Sequence, residues 1–117
     1  MLSLTNRRVF LACGHTDMRK QINGLVAIVK GSFTLDPFDG ALFVFCNRGR
    51  DRIKVIEWDG DGFWMHSKRL EKGHYKWPAA GMDATMLLTG EELAYLLGGT
   101  RVELKLKRQE VTERRVI

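Results

Sequence analysis

Between Asp51 and Pro78 the chain spends all three of its tryptophans, Trp58, Trp64 and Trp77, among cations. Arg52, Lys54, Lys68, Arg69, Lys72 and Lys76 lie in the same stretch, and Arg48 and Arg50 stand just ahead of it. Lysine and arginine neutralise phosphates and release condensed counterions, which gives affinity for a polyanion whatever its sequence. An accessible aromatic ring stacks on an exposed base for about 1–3 kcal/mol. Both kinds of residue on neighbouring strands are therefore what nucleic-acid binding requires. The competing reading places the tryptophans in the core and the cations on a solvated face, with Asp51, Glu57, Asp59, Asp61 and Glu71 diluting the charge.

A second basic segment is HTDMRK, His15 to Lys20. If Thr16 or Asp17 caps a helix there, Arg19 and Lys20 sit beside its first free amides, where an anion can bind. A capped helix with solvated cations is the simpler alternative.

Other chemistry is thinly represented. Asp59 and Asp61 could hold Mg²⁺ through two carboxylates, but a third ligand is not evident, and aspartate with glycine is what a tight turn demands. Glu103 and Lys105, with Asp83 upstream, resemble part of a metal-dependent nuclease centre, but alternating charge on an exposed strand explains them without catalysis. Cys13, His15, His66 and His74 lack the paired spacing of a zinc site. Cys13 in a buried strand is an inert thiol and not a nucleophile. No Gly-rich dinucleotide loop, phosphate-binding Walker loop or nucleophile elbow occurs. No catalytic residue, no metal and no cofactor is expected.

These residues are positioned by elements legible in the hydrophobic pattern. Arg8 to Cys13 (RVFLAC) is β-rich. Met18, Ile22, Leu25, Val26 and Val29 recur at helical spacing, with Gly31 as a stop. Ala41 to Cys46 (ALFVFC) is apolar throughout, which suits a strand covered on both faces. From Arg52 to Asp59, Ile53 and Val55 share one face while Arg52, Lys54, Ile56 and Trp58 share the other. The DGDG turn follows, then a strand from Phe63 to Leu70 and a short one from His74 to Trp77. Thr85 to Leu88 is a brief strand. Thr89 and Glu92 form a capping box ahead of Leu93, Leu96 and Leu97. Arg101 to Lys107 alternates as a half-exposed strand. The expected class is α+β: an antiparallel β-meander sheet with one long N-terminal helix and one short C-terminal helix packed on it. Residues 1–108 form a single domain and 109–117 a loosely ordered polar tail.

A chain of 117 residues with 44% hydrophobic content buries one modest core, so disorder is excluded as its default state. The net charge of +5 favours an anionic partner, nucleic acid first and a membrane surface second. Two cysteines in apolar runs make no disulfide framework, and no apolar run approaches the ~20 residues of a membrane helix. A cytoplasmic protein is expected, with no membrane partner.

The motifs TDMRK, LDPFDGALFVFCNR, DRIKVIEWDGDGFW, KRLEKG and KWP, in that order from Thr16 to Pro78, resemble the TnpB accessory protein of insertion sequence 66 type bacterial transposons. That protein is distinct from the RNA-guided nuclease of the same name. The likeness runs from about Arg8 to Leu97. It implies a protein encoded beside a larger transposase and needed for efficient transposition without being the strand-transfer enzyme. The family-typical positions it implies are Asp17 to Lys20, Asp36 to Phe38, Arg52, Lys54, Trp58 to Gly60, Gly62, Lys68 to Leu70, Trp77 and Pro78. Gly49 and His74 stand where arginine is common, so less positive charge is expected here than in a typical member. The expected function is a non-catalytic accessory factor for DNA transposition that binds nucleic acid through a basic-aromatic sheet face. Arg19, Lys20, Arg48, Arg50, Arg52, Lys54, Trp58, Lys68, Arg69, Lys76 and Trp77 are its candidate contacts. Transposon DNA is the expected partner. The alternative is a protein-interaction adaptor that docks the transposase or a second accessory protein, since tryptophan, tyrosine and arginine also dominate protein interfaces.

Overall fold

A computed structural model describes residues 2–98. Strands β1 (Arg8–Ala12), β2 (Leu42–Cys46), β3 (Arg52–Trp58), β4 (Phe63–Arg69) and β5 (Thr85–Thr89) form one sheet in the order β4-β3-β2-β1-β5. Between β1 and β2 runs helix α1 (Ile22–Ala27), which continues as a π-helical turn over Ile28–Ser32. A second helix, α2, occupies residues 90–98.

The class is α+β as expected, but the sheet is mixed. β2, β3 and β4 are the antiparallel meander, with Val44 opposite Val55 and Val55 opposite His66. β1 pairs with β2 in parallel, Val9 opposite Leu42, and with β5 antiparallel. The reason is the connection: a crossover that carries a helix over the sheet returns the chain to the end where β1 began.

The N-terminal helix is shorter than expected and starts later. It opens at Ile22, with Gln21 as its N-cap and no capping side chain. The Asp17 carboxylate accepts the Arg19 amide at 2.9 Å and folds residues 17–20 into a turn. Lys54 Nζ donates to the carbonyls of Met18 and Lys20, each at 2.8 Å, and holds that turn against β3. The segment from His74 to Trp77 is not a paired strand; it crosses the sheet face and buries Tyr75. The strand expected over Arg101 to Lys107 and the boundary at residue 108 lie outside the described residues.

β2 is enclosed along its whole length, and its alternate side chains feed two cores. Leu42, Val44 and Cys46 join Val9, Ile53, Val55, Tyr75 and Leu93 on one face, with Trp77 and Leu97 packed against them. Phe43 and Phe45 join Leu25, Val29 and Ile56 on the other. The two helices therefore cover opposite faces. The capping box holds as read: Thr89 N–H donates to Glu92 Oε1 at 2.8 Å and Glu92 N–H to Thr89 Oγ1 at 3.1 Å. No helix among the described residues is long and apolar enough to cross a membrane.

Gly90 is buried where α2 starts, and a Cβ there would fall inside the contact radius of the Leu4 carbonyl oxygen. Gly90→Ala is expected to cost about 1–3 kcal/mol in urea denaturation through overpacking. Burial pushes the Cys46 thiol up to about 11 from its ordinary 9.0. The folded state thus keeps this thiol protonated while the unfolded chain ionises near 9.0. Its contribution to stability is present below that pH and is lost as pH rises through about 11. Cys13, expected in a buried strand and inert, lies one residue past the end of β1 and is partly exposed. At pH 8 iodoacetamide should therefore modify it, slowly because burial and Asp83 push its thiol up, and should reach Cys46 only as fast as the chain unfolds, as read by mass spectrometry of the labelled peptides.

Candidate nucleic-acid interface

The cations gather at one end of the sheet, where β1, β2 and β4 end and β3 begins. The turn from β2 to β3 is built by Asn47. Its side-chain oxygen accepts the amides of Asp51 and Arg52, each at 3.0 Å, and its amide donates to Asp51 Oδ1 at 2.7 Å. That bond holds the Asp51 carboxyl below its usual range. The turn projects Arg48 and Arg50, both exposed, and Arg50 adopts a left-handed φ of 60°. Such a conformation is unfavourable for a residue with a Cβ, so the turn is over-determined by its hydrogen bonds.

The exit of β4 is tied to this turn. Leu70 N–H donates to Asp51 O and Tyr75 N–H to Arg50 O, each at 2.7 Å. His74 Nδ1 donates to Gly49 O at 2.8 Å. Register sets Arg52 directly opposite Arg69, and Ile53 opposite Lys68. Like charges directly opposite on a sheet are destabilising. Glu71 relieves Arg69 at 3.0 Å, while Arg52 makes no ion pair among the described residues. Arg52, Lys54, Ser67, Lys68 and Arg69 line a shallow cleft of about 590 Å³ with Met18 and Glu71. The 16–20 loop reaches the same end, since Thr16 N–H donates to Cys46 O at 2.7 Å.

Several of the candidates have partners within the protein. The Arg19 guanidinium grips Asp17, the nearest contact at 2.8 Å, and holds its carboxyl well below the usual carboxylate range. Lys54 spends its ammonium on two backbone carbonyls. Trp77 packs against the core and donates Nε1–H to Ala12 O at 2.9 Å. Trp58 lies at the opposite end of β3, six residues or ~20 Å of strand from Arg52. There it packs edge-on to Phe38 and Phe63, ring centroids 5.0 Å apart in both pairs. Lys76 is exposed beside the buried Tyr75, and Lys20 is exposed on its loop. Lys20, Arg48, Arg50, Arg52, Lys68, Lys72 and Lys76 make no ion pair among the described residues.

Residue patterning missed the accessible tryptophan. Trp64 is 56% exposed, whereas Trp58 and Trp77 are partly buried. Its only signal was its place next to a turn, in a strand that proves to be an edge. Nor did patterning find the set on the same face in which Glu57, part-buried, receives Arg7 at 3.0 Å and His66 at 2.7 Å. Asp59 serves the DGDG turn: its N–H donates to Gly62 O, and its carboxylate accepts the Trp64 indole N–H, which holds its pKa down. Among the described residues no three His, Cys, Asp or Glu side chains converge on a metal position.

This is a small mixed-sheet α+β protein whose described surface offers free cations and accessible aromatic rings. The chain belongs to the family of IS66 Orf2 like proteins, the small TnpB accessory proteins of that transposon type, whose model matches residues 7–107. It is 43% identical over 94 residues to the uncharacterized protein y4hO of Sinorhizobium fredii (strain NBRC 101917 / NGR234), covering 80% of this chain and 81% of that one. It is 37% identical over 101 residues to the uncharacterized protein y4jC of the same strain, covering 84% and 86%. No solved structure matches it.

Lys54→Met is expected to lower stability by about 1–3 kcal/mol, because two carbonyls lose a charged donor. Amide exchange should quicken over residues 18–21 before it does in β3.

Proposed function

We propose that this transposition-associated protein is a non-catalytic accessory factor that holds transposon DNA at the cationic end of its sheet. One observation supports this reading above the others: the Arg52–Arg69 opposition is kept beside Arg48, Arg50 and Lys68, relieved by Glu71 on Arg69 and by the Asp51 carboxylate, itself engaged by Asn47, near Arg52. A fold that only needed solubility gains nothing from such an arrangement, whereas a phosphate backbone relieves it. The rigid Asn47 turn and the bonds from Leu70 and Tyr75 hold the cations in place before any ligand arrives. Lys20 extends the footprint from the neighbouring loop, and Lys76 from the segment beyond β4. Lys54 acts as a positioning residue, since its ammonium fixes the loop that carries Arg19 and Lys20.

A second reading, docking of the transposase or a sister accessory protein, is favoured by Met86 and Leu87, exposed on edge strand β5, and Tyr95, exposed on α2. Retention of transposase from nuclease-treated lysate, lost with Leu87→Asp, is its signature.

The first reading is tested by anisotropy with labelled transposon-end duplex over a salt series. Affinity should fall with salt. The double variant Arg52→Gln/Arg69→Gln should lower the slope of log affinity against log salt by about 2, at ~0.9 per lost phosphate contact. Lys30→Gln, on the helical crossover, should leave it unchanged. An affinity indifferent to salt, or an unchanged slope in the double variant, removes the proposal.

A further inference from the structure

On edge strand β4, Trp64, His66 and Lys68 recur every second residue on one face, about 6.6 Å apart. The Trp64 indole is fixed on two sides. Its N–H is taken by the Asp59 carboxylate, and its ring lies nearly parallel to His66, centroids 6.1 Å apart and planes 15° apart. His66 is itself held by Glu57 at 2.7 Å, and Glu57 by Arg7 at 3.0 Å, whose guanidinium also donates to Gly40 O at 2.8 Å. A chain of contacts that crosses the sheet therefore orients a ring left 56% exposed.

An exposed indole costs solubility, and a clamped one cannot fold away to hide. With its N–H taken by the Asp59 carboxylate at the surface turn, its π surface is what is left to offer. A ring of this kind takes a flat, unpaired partner. To act as a wedge between stacked base pairs it would have to give up the Asp59 hydrogen bond and the contact with His66. The carboxylates of Asp59 and Asp61 repel phosphate at the turn, while Lys68 attracts it four residues farther along the same face; Arg52 and Arg69 stand on the opposite face of these strands. From this asymmetry we infer that the face of β4 carrying Trp64 and Lys68 is a track for single-stranded nucleic acid, with one base stacked on Trp64 and the backbone running over Lys68 toward the exposed turn of Arg48 and Arg50. The inference rests on the reading of the protein as a nucleic-acid binder and adds the strandedness of the ligand.

The test uses the full chain, labelled oligo-dT and a blunt hairpin duplex of matched phosphate count, followed by anisotropy and tryptophan fluorescence. Oligo-dT should bind more tightly than the duplex and quench fluorescence. Trp64→Ala should weaken oligo-dT binding by about tenfold to a hundredfold and abolish the quench, and Trp64→Phe should keep most of the affinity. Trp58→Phe should leave the quench in place. Wild-type affinity of Trp64→Ala for oligo-dT, or a preference for duplex, overturns the track. The salt slope of Arg52→Gln/Arg69→Gln reports separately on the cationic end, so either idea can fail alone.

Discussion

Strand β2 must be covered on both faces, and the rest of the molecule is arranged around that requirement. Its five residues are all buried, with aromatic rings on one side and Leu42, Val44 and Cys46 on the other. One helix satisfies only one side. The crossover through α1 covers the first, and α2 with the segment through Tyr75 and Trp77 covers the second. In a chain of this size two covering layers consume most of the apolar side chains. What remains for recognition is the rim: the loops at one end of the sheet, and the strands at its two edges. Cations and an open indole are found there and not on a broad sheet face.

The rim is divided along the strand axis. Strand register places the arginines where β3 begins and β4 ends, and the aromatic group of Phe38, Trp58 and Phe63 where β3 ends and β4 begins. Residues interleaved in sequence are thus separated in space. The acidic residues follow the same division: Asp59 and Asp61 stay with the aromatic end, Asp51 is engaged by Asn47, and Glu71 attends Arg69. Trp64 and Lys68, on one face of β4, span the interval between the ends.

Much of this was legible in the residues, because it is written in local periods. The two faces of β3 follow from alternation, the DGDG turn from its glycines, and the start of α2 from Thr89 and Glu92. The direction of β1 was not legible, since RVFLAC reads the same whether its neighbour runs with or against it. The start of α1 was hidden because the side chain that decides it, Lys54, lies 36 residues from the Met18 carbonyl it captures. Family resemblance correctly placed the chain among transposon accessory proteins, but it gave no view of which indole meets water. That depends on β4 being an edge, and edges exist only after pairing.

Thr89 belongs to two elements at once: it ends β5 and caps α2. Because the backbone turns into a helix at that residue, the open margin of the sheet is limited to five residues on this side. A short margin that runs straight into a helix offers a poor template for a neighbouring molecule's strand. The same hydroxyl that begins α2 therefore also sets where this margin of the sheet stops.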